Sequence, residues 1–263
     1  MYLLGKRQTF FSILLGVLLL GAPNVYANSN CTSFSANGIN NWYPFSYRNN
    51  DGELTGTIVD GAKAALSQLG LEMTVQDDVP WKRILYNLEK GTLDMVMGGY
   101  WNSERAEKYH YSQPLGTDDV RVFVRPGEEF PLASLEDLIG KNGFNLLGGS
   151  YGDEFDKFSS KHLNLSKVSK SDQIIRMVAA GRGYYGIVGY VEALEHIRRH
   201  KLEGKVVALP WPVLSTDVHV LINRDAACAN KVSEINAVIR DLREKGVLQN
   251  ILDKHLKAGQ PIK

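Results

Sequence analysis

Cysteine is scarce in this chain: Cys31 and Cys228 are the only two among 263 residues. Two cysteines do not make a disulfide scaffold, and at this separation they do not form a metal-binding motif. A charge surplus is missing as well. Lys plus Arg number 30 against 29 Asp plus Glu, which argues against nucleic acid or an anionic membrane surface as partner. After Ala22 no apolar run approaches the ~20 residues a bilayer-spanning helix needs. His-Glu-x-x-His and the P-loop are absent, so those metalloprotease and nucleotide-binding signatures do not apply. The six histidines are scattered. His196 and His200 have helical i,i+4 spacing, but inside "EHIRRHK" they read as a solvated basic helix face and not as metal ligands.

What is present begins with an export signal. Lys6 and Arg7 precede the apolar run Phe10 to Ala22, and Val25 and Ala27 supply small residues for cleavage. Residues 1–27 are expected to be a signal peptide, which makes the mature protein periplasmic and about 236 residues long. An oxidising compartment permits a Cys31–Cys228 bridge; two buried thiols are the alternative, and the sequence leaves both open.

Strand and helix patterns alternate along the mature chain. "LTGTIVDGAKAALSQLG" places Ile58, Ala62, Ala65, Leu66 and Leu69 near one helical face, and Gly70 stops it. "LEMTVQDD" alternates as a strand does. "PWKRILYNLEKG" runs from Pro80 to Gly91 as a short helix, and "LDMVMGGYW" is a buried strand. A second series follows "DVRVFVRPG": the short helix "SLEDLIG", a strand and glycine turn in "GFNLLGGSYGDEF", the helix "SDQIIRMVAAG", the strand "YYGIVGY" and the helix "VEALEHIRRHK". "VVALPWP" is extended and broken by prolines, "STDVHVLINRD" is an alternating strand, and a C-terminal amphipathic helix is interrupted at Gly246. Alternation of this kind implies parallel sheet covered by helices.

The stretches "PFSYRNNDGELTGTIVDGAKAAL" and "WKRILYNLEKGTLDMVMGGYWNSERAEKYHYSQPL" resemble the bacterial extracellular solute-binding proteins of family 3, the periplasmic amino-acid-binding type. Asp60, Trp81, Leu88, Gly91, Asp94, Glu104, Arg105, Tyr111, Ser112 and Pro114 fill the pattern. The likeness covers most of the mature chain and is weaker in the second αβ series. It implies an α/β, two-lobe periplasmic-binding fold of type II, with two crossing strands. The expected lobes are 28–121 with 220–263, and 122–219.

The resemblance also implies a ligand site. Arg105 would grip a ligand carboxylate through the guanidinium's planar fork. Trp42, Tyr43, Tyr100 and Trp101 would line the cleft, with Phe45 as a core residue. Ser150 and Tyr151 sit at a strand-to-helix turn, where free N–H groups receive anions. The family's two acidic positions are the exception: Tyr184 or Tyr185 stands at the first and Tyr190 at the second. A phenol with a pKa of ~10 is neutral and cannot balance a ligand ammonium. Asp153 and Asp217 are the substitutes considered, and Tyr185 and Tyr190 remain expected ligand contacts. The expected function is capture of a small, polar, carboxylate-bearing solute by hinge closure for an inner-membrane ABC permease. A same-fold dehydratase-like enzyme and a module docking on a membrane sensor are the alternatives. No cofactor or metal is expected, and the expected assembly is a monomer.

Overall fold

The computed structural model describes residues 31–258 and Tyr2. Apart from Tyr2, the expected signal peptide lies outside the described residues. In chain order, β1 (Ser33–Gly38), β2 (Asn41–Trp42), β3 (Ser46–Arg48), β4 (Leu54–Thr55), α1 (Thr57–Gln68), β5 (Glu72–Val75), α2 (Trp81–Glu89), β6 (Met95–Gly99), α3 (Ser103–Lys108) and β7 (Tyr109–Tyr111) form the first series. β8 (Gly116–Val124) leads out of it. β9 (Asn142–Leu146), α4 (Asp153–His162), β10 (Asn164–Val168), α5 (Ser171–Ala179), β11 (Tyr185–Gly189) and α6 (Tyr190–Arg199) form the second. β12 (Val207–Asn223) returns, and α7 (Val232–Glu244) and α8 (Val247–Ala258) follow.

The main sheet runs β10-β9-β11-β8-β12-β6-β1-β5. β1 pairs in parallel with β5 and β6, and β9 pairs in parallel with β10 and β11. β8 and β12 run antiparallel between these two groups and stitch them together. β6 and β11 are buried at every residue, as strands covered on both faces must be, which is why their sequences read as unbroken runs without polar alternation. On α1, Ile58, Ala62, Ala65 and Leu66 face inward, and the helix packs on α7 and α8. α7 and α8 are separated at Gly246, whose φ of 71° lies in the left-handed region.

β12 corrects one expectation. "VVALPWP" and "STDVHVLIN" are one 17-residue strand. Pro210 and Pro212 are accommodated because the register with β8 shifts between Ala208 and Pro212 and again between Pro212 and Leu214. A bulge removes the ladder hydrogen bond that proline cannot donate.

Cys31 and Cys228 form a disulfide, with sulfurs 2.05 Å apart and a sequence separation of 197. It ties the entry to β1 to the loop before α7. Cross-linking so long a loop restricts the unfolded chain, and removal of such a bridge costs about 2–4 kcal/mol. The Cys31→Ser, Cys228→Ser double variant is therefore expected to unfold about 5–15 °C lower. Equal midpoints for the variant and the oxidised protein in a thermal melt would exclude this contribution.

Candidate functional site

A cavity lies where the carboxyl ends of β6 and β11 face each other, the position at which open α/β sheets hold ligands. Gly98, Gly99 and Tyr100 approach from β6, and Ile187, Val188 and Gly189 from β11. The volume open to the centre of a water-sized sphere is ≈ 50 Å³, room for a few waters. The cavity is narrow because the two series are hydrogen-bonded across it. Trp81 Nε1 donates to Gly148 O at 3.0 Å, Asn102 Nδ2 donates to Ser150 Oγ at 2.7 Å, and the Ser103 N–H donates to Asp153 Oδ1 at 3.0 Å.

Arg105 stands at one side, on α3. Asn102 is the N-cap of that helix and accepts from the Arg105 N–H at 2.8 Å, so the cap fixes where the arginine points. The side chain is only 9% exposed. Nη1 donates to Tyr100 O at 3.3 Å, and Nη2 donates to Gly148 O at 3.1 Å. The guanidinium carbon lies 5.8 Å from the Trp81 ring. Among the described residues no carboxylate forms an ion pair with it. Burial pulls its pKa below the usual arginine value, partly offset by Tyr111 and Asp156. A guanidinium has five N–H donors, so two carbonyls leave capacity for an anion.

The aromatic wall is built around Trp42 and Tyr100, whose rings meet edge to face at 5.3 Å, with Tyr151 beside Tyr100 at 5.9 Å. Gly98 has a φ of 107°, and a Cβ there would lie 2.7 Å from the Trp42 ring, so only glycine lets the indole lie on β6. Asp118, from β8, holds the wall from behind. Its Oδ2 accepts from Trp42 Nε1 at 3.2 Å and from Tyr100 OH at 2.7 Å. Gly189 leaves room for this carboxylate, since a Cβ at 189 would sit 2.5 Å from Oδ2. Burial raises the Asp118 pKa to about 7, helped by the charge of Glu192 and opposed by the two donated hydrogen bonds.

Glu192 faces the cavity from the first turn of α6 and is 6% exposed. Its Oε1 lies 3.3 Å from His196 Nε2, which is also 3.2 Å from Ser171 Oγ. His196 Nδ1 is buried without a hydrogen-bond partner. His196 is thus buried, which corrects the solvated-face expectation; the i,i+4 pattern that signals it is its spacing to Glu192.

Of the residues singled out in the sequence, Trp42, Tyr100, Arg105, Ser150 and Tyr151 line this cavity. The others lie elsewhere. Tyr43 OH donates to His255 O at 2.6 Å, over α8. Trp101 is 48% exposed outside the cavity lining. Tyr185 is fully buried, because it packs against Gly143, where a Cβ would come within 2.4 Å of its ring. Tyr190 lies under the Arg121 guanidinium at 4.1 Å and stacks on Phe123, lining a separate hollow with Phe45 and Asp118. Asp153 and Asp217 also lie outside the lining, accepting from Ser103 and Thr117 respectively. Trp81 and Glu192, which do line it, were not singled out as ligand contacts. The signal for Glu192 is an acid three residues beyond a glycine that ends a buried strand.

The model for bacterial extracellular solute-binding proteins, family 3, matches residues 37–258. The chain belongs to this family. The L-cystine-binding protein TcyJ of Escherichia coli K12 is 32% identical over 109 residues, 41% of this chain and 41% of that relative. The chain thus matches about two-fifths of that relative's length. A probable amino-acid ABC transporter-binding protein of Haemophilus influenzae Rd is 22% identical over 79% of this chain and 78% of its own. An amino acid ABC transporter substrate-binding protein of Streptococcus pneumoniae, solved with L-arginine, superposes with a TM-score of 0.72 at 18% identity, covering 86% of this chain and 95% of the other. The fold is the two-lobe periplasmic-binding fold of type II. These relatives are solute-binding proteins and not enzymes.

Two strings in this family member match enzyme signatures by letter. Gly148–Gly152 spells Gly-x-Ser-x-Gly, and Gly181–Gly186 spells Gly-x-Gly-x-x-Gly. Neither is in its motif's context. Ser150 Oγ meets Asn102 and the Asp156 carboxylate, with no histidine, and Ser150 is not among the residues of positive φ. Gly181–Gly186 leads from α5 into β11, the reverse of the strand-to-helix order a dinucleotide site requires.

Proposed function

We propose that this protein is a periplasmic receptor for an α-amino acid, which it delivers to an ABC permease. The observation that carries the reading is one buried cation and one buried carboxylate, Arg105 and Glu192, facing a single aromatic cavity. In this reading the ligand carboxylate takes the free N–H donors of Arg105, with the turn at Gly149–Ser150 beside it. The ligand ammonium takes Glu192, which does the work expected of the acids replaced by tyrosines. The charges then cancel in pairs within a low-dielectric space, the condition under which buried ions are tolerated.

This reading takes the expected lobes, 28–121 with 220–263 and 122–219, as the two halves that close, with β8 and β12 as the crossings between them. Arg105 sits on the first lobe and Glu192 on the second, so a ligand that spans both favours the closed form by its differential affinity. The names of the relatives, an L-cystine-binding protein and a probable amino-acid ABC transporter-binding protein, support this class of cargo. Titration calorimetry with α-amino acids and with their des-amino and decarboxylated analogues tests it. Loss of either group is expected to weaken binding about 10–100-fold or more. Glu192→Gln should cost an amino acid about 10–100-fold but leave its des-amino analogue almost unchanged. Equal losses for both would exclude an ammonium contact at Glu192.

A further inference from the structure

We infer that the ligand's side chain is uncharged and apolar, so that the cavity selects neutral α-amino acids with hydrophobic, aromatic or thioether side chains over basic and acidic ones. The inference rests on the amino-acid reading above.

Arg105 and Glu192 are the charged residues lining the cavity. The carboxylate and ammonium common to every α-amino acid use both. A charged side chain would have to be buried with no opposite charge facing it, a cost of several kcal/mol per unpaired ion. Asp118 does not line this cavity; it lines the hollow beside Tyr190, and its Oδ2 is engaged by the Trp42 and Tyr100 donors.

The polar tips of the wall are already engaged. Trp42 Nε1 and Tyr100 OH donate to Asp118. Trp81 Nε1 donates to Gly148 O, and Tyr151 OH donates to Ile187 O at 3.0 Å. Ser150 Oγ meets Asn102 and Asp156, and Ser171 Oγ meets His196. The hydrogens of these aromatics are therefore taken, and they offer the ligand ring surface and phenol oxygens but no N–H or O–H donor. Ile39, Leu146, Ile174, Ile187 and Val188 complete an apolar lining. A guanidinium stacked on the rings would gain a cation–π contact, yet with Glu192 taken by the ligand ammonium it would face hydroxyl oxygens and no carboxylate, so its charge would be buried without a counter-ion.

The test is calorimetry on the wild-type protein, stripped of carried-over ligand by unfolding and refolding with the disulfide intact. The panel is leucine, methionine, phenylalanine, arginine, lysine, glutamate and cystine. The expected result is binding of at least one of the first three about 100-fold or more tighter than any of the rest. Tighter binding of arginine, lysine, glutamate or the doubly zwitterionic cystine would overturn the neutral side-chain assignment while leaving the amino-acid reading intact. Binding of none of the seven, with des-amino acids binding instead, would overturn the amino-acid reading and this inference with it. As an independent check, Leu146→Asp should reduce that neutral preference at least about tenfold relative to lysine; an unchanged ratio would remove Leu146 from the side-chain subsite.

Discussion

Arg105→Ala is expected to weaken amino-acid binding between about 30-fold and more than 1,000-fold. Truncating one partner of a buried, hydrogen-bonded charge pair costs about 2–5 kcal/mol or more, and each 1.4 kcal/mol is about tenfold. The upper end applies if the ligand carboxylate remains in the closed cleft without its counter-ion. Arg105→Lys should fall between, because an ammonium keeps the charge but not the fork that can serve Gly148 O and a carboxylate together. Arg105 also bridges the two series through that carbonyl, so affinity and unfolding midpoint must both be measured. A binding loss with a midpoint near that of the unliganded wild type is the expected pattern. An unchanged Kd for Arg105→Ala would sink the proposed role.

Asp118→Asn is expected to stabilise the unliganded protein at pH 8. The carboxyl titrates near 3.8 when unperturbed and at about 7 in the fold, where desolvation disfavours its charge. Between these values the folded state holds a proton that the unfolded chain has released. Stability therefore falls as pH rises through that window, and above pH 7 the full penalty is present. At about 1.4 kcal/mol per pH unit the window amounts to roughly 4 kcal/mol. Asparagine keeps an acceptor for Trp42 Nε1 and Tyr100 OH and cannot ionise. The variant should melt up to roughly 8–16 °C above the wild type at pH 8 and close to it at pH 3.5. Melting curves that differ equally at both pH values would show that burial of the ionised carboxylate is not the cause. If Asp118 instead serves only as a scaffold for the rings, the variant should still bind ligand, since the wall stays in place.

Much of the cavity is legible from the sequence because its residues sit beside local signals. Arg105 follows an N-cap asparagine, Trp42 lies two residues before a proline, and Ser150 lies in a glycine turn after a strand. Tyr185 has no such signal beside it. Period-two alternation assigns faces only where one face is polar, and β11 is buried throughout, so its pattern is silent about which side chain meets the cavity. Trp101 follows Tyr100 directly, but past the end of β6 the chain turns into α3 and leaves its side chain half in solvent.

The sequence by itself determined the order of elements and the family and placed Arg105 at a helix start after a strand, because hydrophobic periodicity, caps and turn residues act over a few positions. Tertiary structure alone decided that Cys31 meets Cys228, that Glu192 shares a cavity with Arg105, and that Asp118 reaches the backs of Trp42 and Tyr100. Each of those depends on residues from 18 to 197 positions apart, brought together by sheet pairing and closure. Such proximity is a product of the whole packed chain, and no local window of sequence carries it.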